Sequence, residues 1–124
     1  MLKTKMKHLL TAAAITTAFA VAPLSAQAGD KAMTSVEAGK KLAFSRSKGN
    51  CLACHAIQGG KLAGNIGPAL IAMKLRFPDK QKLFDKVWGK ANTQIPNSMM
   101  PPFGQNGILT DKQIHEIVDF IYTL

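Results

Sequence analysis

The sequence lacks most of what a catalyst or a sheet protein would show. No stretch alternates apolar and polar residues long enough for a strand, which leaves an all-α fold. There is no Ser/His/Asp set and no carboxylate pair with a plausible site, so hydrolysis and acid–base chemistry have no visible carrier. Gly59, Gly60, Gly64 and Gly67 lie close together, yet no strand precedes them and no G-K-S/T follows. A phosphate cradle is excluded, and the stretch reads as a loop wrapping something. Aromatic residues make up only 6%, with Trp88 the sole tryptophan. A small domain with so few aromatics has a thin core, and a large flat apolar cofactor would thicken it.

Cysteine is also scarce, and both copies fall in one place. Gly49-Asn50-Cys51-Leu52-Ala53-Cys54-His55 holds them as C-x-x-C with a histidine directly after, the attachment pattern of haem c. Cys51 and Cys54 would form thioethers to the haem vinyl groups, and His55 would be carried under the ring to bind iron. A disulfide is the alternative in an oxidising compartment. A thioredoxin-like redox pair needs a βαβ context that is missing. Zinc would have too few ligands, with only His115 left beyond His55. Covalent haem c explains the pattern best.

Haem c attachment implies export, and residues 1–28 read as a cleavable signal peptide. Lys3, Lys5 and Lys7 precede an apolar run from Leu9 to Ala22, Pro23 ends it, and Ala26-Gln27-Ala28 offers a small-residue cleavage site. The run is shorter than the roughly 18 apolar residues of a membrane span, so a periplasmic protein without a span after cleavage is expected. Residues 29–124 then form one monohaem domain carrying 13 basic and seven acidic residues, a net charge of +6. Such a surface steers acidic partners. No nucleic-acid-reading motif accompanies it, and an acidic protein partner fits an exported chain better.

Three helices are legible. Thr34 and Glu37 form a capping box opening a helix that runs to about Ser47. Gly39 inside it costs about 1 kcal/mol relative to alanine, which predicts a close approach by another helix. Asp79 to Trp88 makes a second, burying Leu83, Phe84, Val87 and Trp88. Thr110 and Gln113 form a second capping box, with Leu109 stapled onto Ile114. Behind it Ile114, Ile117, Val118 and Ile121 make one stripe, with Tyr122 beside it and His115 off it on the surface. This last helix should cross the first near Gly39. Pro68 suits the first position of a further short helix.

A sixth iron ligand decides between a closed and an open site. Methionine there raises the reduction potential and favours electron transfer. Met33 precedes the first helix, and Met73 lies in an apolar stretch where packing is the plainer role. Met99 and Met100 sit in the proline-rich segment 91–106, which reads as packed against haem. Pro101-Pro102 would hold the loop stiff around Met100, which is the first choice, with Met99 the fallback. Pro68 has two readings: a plain turn residue, or the residue whose carbonyl takes the proton of His55 Nδ1.

The haem motif, Gly64-Asn65-Ile66-Gly67-Pro68, Met100-Pro101-Pro102-Phe103-Gly104 and Ile108-Leu109-Thr110 together resemble the SoxX family. These are monohaem cytochrome c subunits of the sulfur-oxidising SoxAX complex, similar to class I cytochromes c. The resemblance covers nearly the whole of residues 29–124, with departures at Ala69 and Ile95. It implies a small cytochrome c fold, crossed N- and C-terminal helices around one haem. It also implies a SoxA-type c-type cytochrome as heterodimer partner, the SoxYZ carrier protein as substrate and a soluble cytochrome c as electron acceptor. By the same resemblance Cys51 and Cys54 bind haem, His55 and Met100 ligate iron, and Pro68 orients His55. The complex would be an L-cysteine S-thiosulfotransferase, and this subunit its non-catalytic electron carrier. Two other readings remain open: a free-standing periplasmic shuttle of another respiratory pathway, and a haem enzyme or gas sensor with an open sixth site.

Overall fold

The computed structural model describes residues 32–124. The signal peptide expected over residues 1–28 lies outside the described residues. Four α-helices follow in order: α1 Ser35–Phe44, α2 Met73–Arg76, α3 Lys80–Trp88 and α4 Asp111–Ile121, with short 3-10 turns at Cys51–Ala53 and Ala91–Thr93. There is no strand among the described residues, only an isolated parallel bridge between Ile57 and Leu70. The fold is all-α, as the sequence pattern requires.

The two capping boxes fix where α1 and α4 begin. Glu37 N–H donates to Thr34 Oγ1 at 3.2 Å while Thr34 N–H donates to Glu37 Oε2 at 2.9 Å. The Thr34 N–H and the Thr34 hydroxyl both donate to Glu37 Oε2 and hold its carboxyl below the ordinary range. At α4, Gln113 N–H donates to Thr110 Oγ1 at 3.3 Å and Thr110 N–H to Gln113 Oε1 at 3.0 Å. Each box satisfies donors that a helix N-terminus otherwise leaves without partners. α1 ends at Phe44 rather than Ser47, because the chain must reverse into the haem motif. The Ser45 and Gly49 N–H groups both turn back to the Leu42 carbonyl, at 3.3 and 3.1 Å.

α1 and α4 cross at Gly39, and the approach is close enough to exclude any side chain. A Cβ built there would lie 1.8 Å from the Glu116 carbonyl oxygen. The helix penalty of glycine is therefore offset by the packing it permits. Ile114, Ile117, Val118, Phe120 and Ile121 of α4 are buried, as is Ala43 of α1, and Phe44 meets Phe120 edge-on at 5.7 Å between ring centres. Full burial of each large aliphatic side chain stabilises the fold by roughly 1.5–3 kcal/mol. Leu109 and Ile114 are buried in the same core, the arrangement a staple requires.

α3 opens one residue later than its sequence pattern suggests. Asp79 caps it by accepting from Gln81 N–H at 2.9 Å. Gly89 ends it in the left-handed region, φ 101°, with its N–H donating to Asp85 O. Leu83, Phe84 and Val87 face the core, and Trp88 is half-buried, its Nε1–H donating to Asp111 Oδ1 of α4 at 2.9 Å. No helix starts at Pro68. Leu70 N–H is committed to Ala56 O at 2.9 Å, which keeps the chain extended there, and α2 begins only after Ala72.

Asp119 of α4 binds Ser35 Oγ of α1 and Lys80 Nζ of α3, so one carboxylate joins three helices. The Lys80 and Ser35 bonds hold its carboxyl below the ordinary range. A depressed folded value means the contribution is complete above the unfolded value near 3.9 and is lost as pH falls through the folded one. Asp119→Asn should lower stability at pH 7 by about 0.5–1 kcal/mol, the scale of a partly exposed pair. The difference should vanish at the acid end of a pH series of denaturant titrations.

Candidate functional site

Local backbone geometry brings the residues of the haem motif onto one face. Asn50, at φ 47°, breaks from the turn after α1 and starts the 3-10 turn Cys51–Ala53. Side chains three apart eclipse one another in such a turn, which aligns Cys51 with Cys54. His55 follows at once, its N–H donating to Cys51 O at 2.9 Å. Both cysteines are free and partly buried. Burial pushes the Cys51 thiol up to about 11. A thiol held neutral at physiological pH is a poor redox-cycling pair member, which counts against the thioredoxin-like reading.

The histidine is oriented from the far side of the glycine-rich loop. Its Nδ1 lies 2.7 Å from the Pro68 carbonyl oxygen. A carbonyl only accepts, so Nδ1 carries the proton and Nε2 presents a lone pair. The loop is held against the motif by Gly64 N–H to Leu52 O and Gly67 N–H to Cys54 O, each 2.8 Å. A Cβ on Gly67 would stand 2.5–2.9 Å from three atoms of the His55 ring, so the imidazole rests on bare backbone. Gly67→Ala should push the ring off Pro68 and weaken the bond to iron expected of His55. The expected readout is a shifted Soret band and midpoint potential, with haem still attached through the thioethers.

The four candidate methionines are sorted by burial. Met33 is exposed ahead of α1, and Met73 is 2% exposed in the core with Arg76 Nη1 at 3.4 Å from its sulfur. Met99 is 75% exposed, whereas Met100 turns inward and packs on the core. Exposed apolar residues gather on the segments between His55 and Met100, with Leu62 at 97% and Leu75 at 83%, joined by Ile66, Ile71 and Ile95. Among the described residues no three His, Cys, Asp or Glu side chains converge as around an ion held by protein alone. Two free thiols in one turn, an imidazole resting on a glycine cradle and a partly buried thioether are groups that fit a haem c.

The cytochrome c family model matches residues 36–124. The chain belongs to the cytochrome c family. It is an electron-transfer protein, with haem c bound covalently through Cys51 and Cys54. A protein described as an uncharacterized lipoprotein of Aquifex aeolicus (strain VF5) is 36% identical over 76 residues, 60% of this cytochrome and 36% of the relative. The chain thus spans about a third of the length of that curated relative.

Sequence reasoning missed how the methionine loop is fastened. Phe103, Gly104 and Gln105 donate to the Val87 and Trp88 carbonyls at 3.2, 3.0 and 3.1 Å, and Gly89 lies against Pro102. Gly104 was the available signal, since it has no positive φ and ends no helix, whereas Gly89 is already accounted for as the cap of α3. His115 is exposed as expected, yet it lies flat on Phe84 with ring centres 4.2 Å apart.

Proposed function

We propose that this cytochrome is a closed, six-coordinate electron relay of the SoxX type, working in the periplasm beside a SoxA-type c-type cytochrome. His55 and Met100 are its iron ligands. Bound haem supplies a one-electron iron couple, and methionine ligation shifts that couple toward acceptance of electrons. Pro68 fixes the proton of His55 on Nδ1, and the loop after Met100 holds the thioether inward. Neither residue needs to move between oxidation states, which suits electron transfer.

The observation that carries the closed reading is the unequal burial of two adjacent methionines, Met99 at 75% exposed and Met100 partly buried against the core. The placement beside a SoxA-type subunit is supported by the resemblance carried by Met100-Pro101-Pro102-Phe103-Gly104. Joining thiosulfate to a cysteine of the SoxYZ carrier is an oxidation, so the complex needs an exit for electrons. This subunit takes them and passes them to a soluble cytochrome c. Its surplus of basic residues favours acidic partner surfaces.

Purification from the native source tests the placement. The expected result is elution with a second c-type cytochrome, and reduction by thiosulfate only when the carrier protein is present. Elution alone, with no response to thiosulfate and carrier, would overturn the Sox assignment and leave a free-standing shuttle.

A further inference from the structure

We propose that the C-terminal end of α3 is the seat that aims Met100 at the iron, with Gly104 and Trp88 as its positioning residues. The inference rests on the reading of Met100 as the sixth ligand. A helix C-terminus leaves its last carbonyls without intrahelical partners. In this chain the methionine loop supplies them, through the Phe103, Gly104 and Gln105 N–H groups on Val87 O and Trp88 O. Between Met100 and this seat stand only Pro101 and Pro102, whose rings fix φ. Seating Phe103 therefore narrows the directions open to Met100, because the prolines fix two φ angles and hold the residues before them extended.

The seat is tight on both sides. A Cβ on Gly89 would meet Pro102 Cβ at 2.2 Å, and a Cβ on Gly104 would meet Trp88 Cδ1 at 2.3 Å. The indole is tethered, because its Nε1–H donates to Asp111 Oδ1 at 2.9 Å on α4, and yielding would break that bond. Downstream the loop is pinned again by Asn106 N–H to Pro102 O at 3.0 Å and Ile108 N–H to Phe103 O at 2.9 Å. Gly104 has no positive φ, so a substitution there adds bulk without backbone strain. The seat keeps foreign ligands out by keeping the loop closed, and a displaced loop admits them.

The test uses the haem-loaded protein and added imidazole as the competing ligand. Wild type should show the methionine-to-iron absorption band, and Met100→Ala should lose it. A wild type without the band, or a Met100→Ala that keeps it, would overturn the ligand reading and with it the seat. Given the band, Gly104→Ala should bind imidazole roughly five- to a hundredfold more tightly, the range expected when a packed contact is overfilled. Trp88→Leu, which removes the obstructing ring, should bring the double variant back toward the affinity of Trp88→Leu alone. Gly104→Ala binding imidazole like wild type would overturn the seat while leaving the ligand reading intact. A rise that Trp88→Leu fails to relieve would also overturn it, since general loosening has no reason to be rescued. Should Gly104→Ala fail to fold, hydrogen exchange of the wild type decides: the Gly104 and Gln105 amides should be protected, and exchange at the unprotected rate would overturn the seat.

Discussion

Replacing Gly39 by alanine should cost about 3 kcal/mol of stability, even though alanine is the better helix former by about 1 kcal/mol. The new methyl would sit 1.8 Å from one backbone oxygen of α4 and 2.4 Å from its carbon. Neither atom belongs to a side chain that could rotate away, so α1 and α4 must part. Their separation exposes a face holding Ala43, Ile114, Ile117 and Val118. For a domain of under 100 residues such a loss lowers the melting temperature by roughly 12–24 °C. Gly107→Ala is the informative comparison, because nothing lies within 4 Å of its Cβ and only its φ of 64° is strained. It should cost about 1 kcal/mol. Thermal unfolding of the two variants side by side checks the difference, and equal losses would contradict a steric crossing.

Met100→Ala should change the chemistry of the site more than any other single substitution outside Cys51-Leu52-Ala53-Cys54-His55. Loss of the thioether removes the methionine-to-iron band and lowers the reduction potential, because methionine is the ligand that raises it. It also opens the iron to carbon monoxide in the reduced state. Met99→Ala should leave all three properties nearly unchanged, since Met99 is 75% exposed while its neighbour packs inward. Absorption spectra and a redox titration of the two variants distinguish them. A Met99→Ala variant that loses the band would transfer the ligand role to Met99.

The parts of the fold that are local in sequence were legible, and those that depend on distant partners were not. Both capping boxes, the apolar stripe of α4 and the burial of Leu83, Phe84 and Val87 follow from spacing within a few residues. Gly39 was legible for a different reason: a glycine inside a capped helix has a cost that only a close neighbour justifies. The early end of α1 and the extended chain at Pro68 were not legible. Each is imposed by a hydrogen bond, Gly49 N–H to Leu42 O and Leu70 N–H to Ala56 O, whose partner is set by the path of the loop.

The same division holds at the site. Cys51, Cys54 and His55 announce themselves by spacing alone, and the 3-10 turn shows why the spacing works. The contact between His55 Nδ1 and the Pro68 carbonyl joins residues 13 apart. From sequence it was one of two readings of a proline, since a turn and an acceptor look alike in one dimension. The seat of the methionine loop on α3 was legible only as a hint: Gly104 marks a close approach, but the backbone donors of Phe103, Gly104 and Gln105 carry no sequence mark that names α3 as their partner.

Mixing the dithionite-reduced wild-type protein with carbon monoxide tests the central claim most directly. A closed relay with His55 and Met100 on the iron predicts no rapid binding and an unchanged Soret band on the mixing timescale. Rapid formation of the carbon monoxide complex would contradict it and make the site an open one for small-molecule ligands.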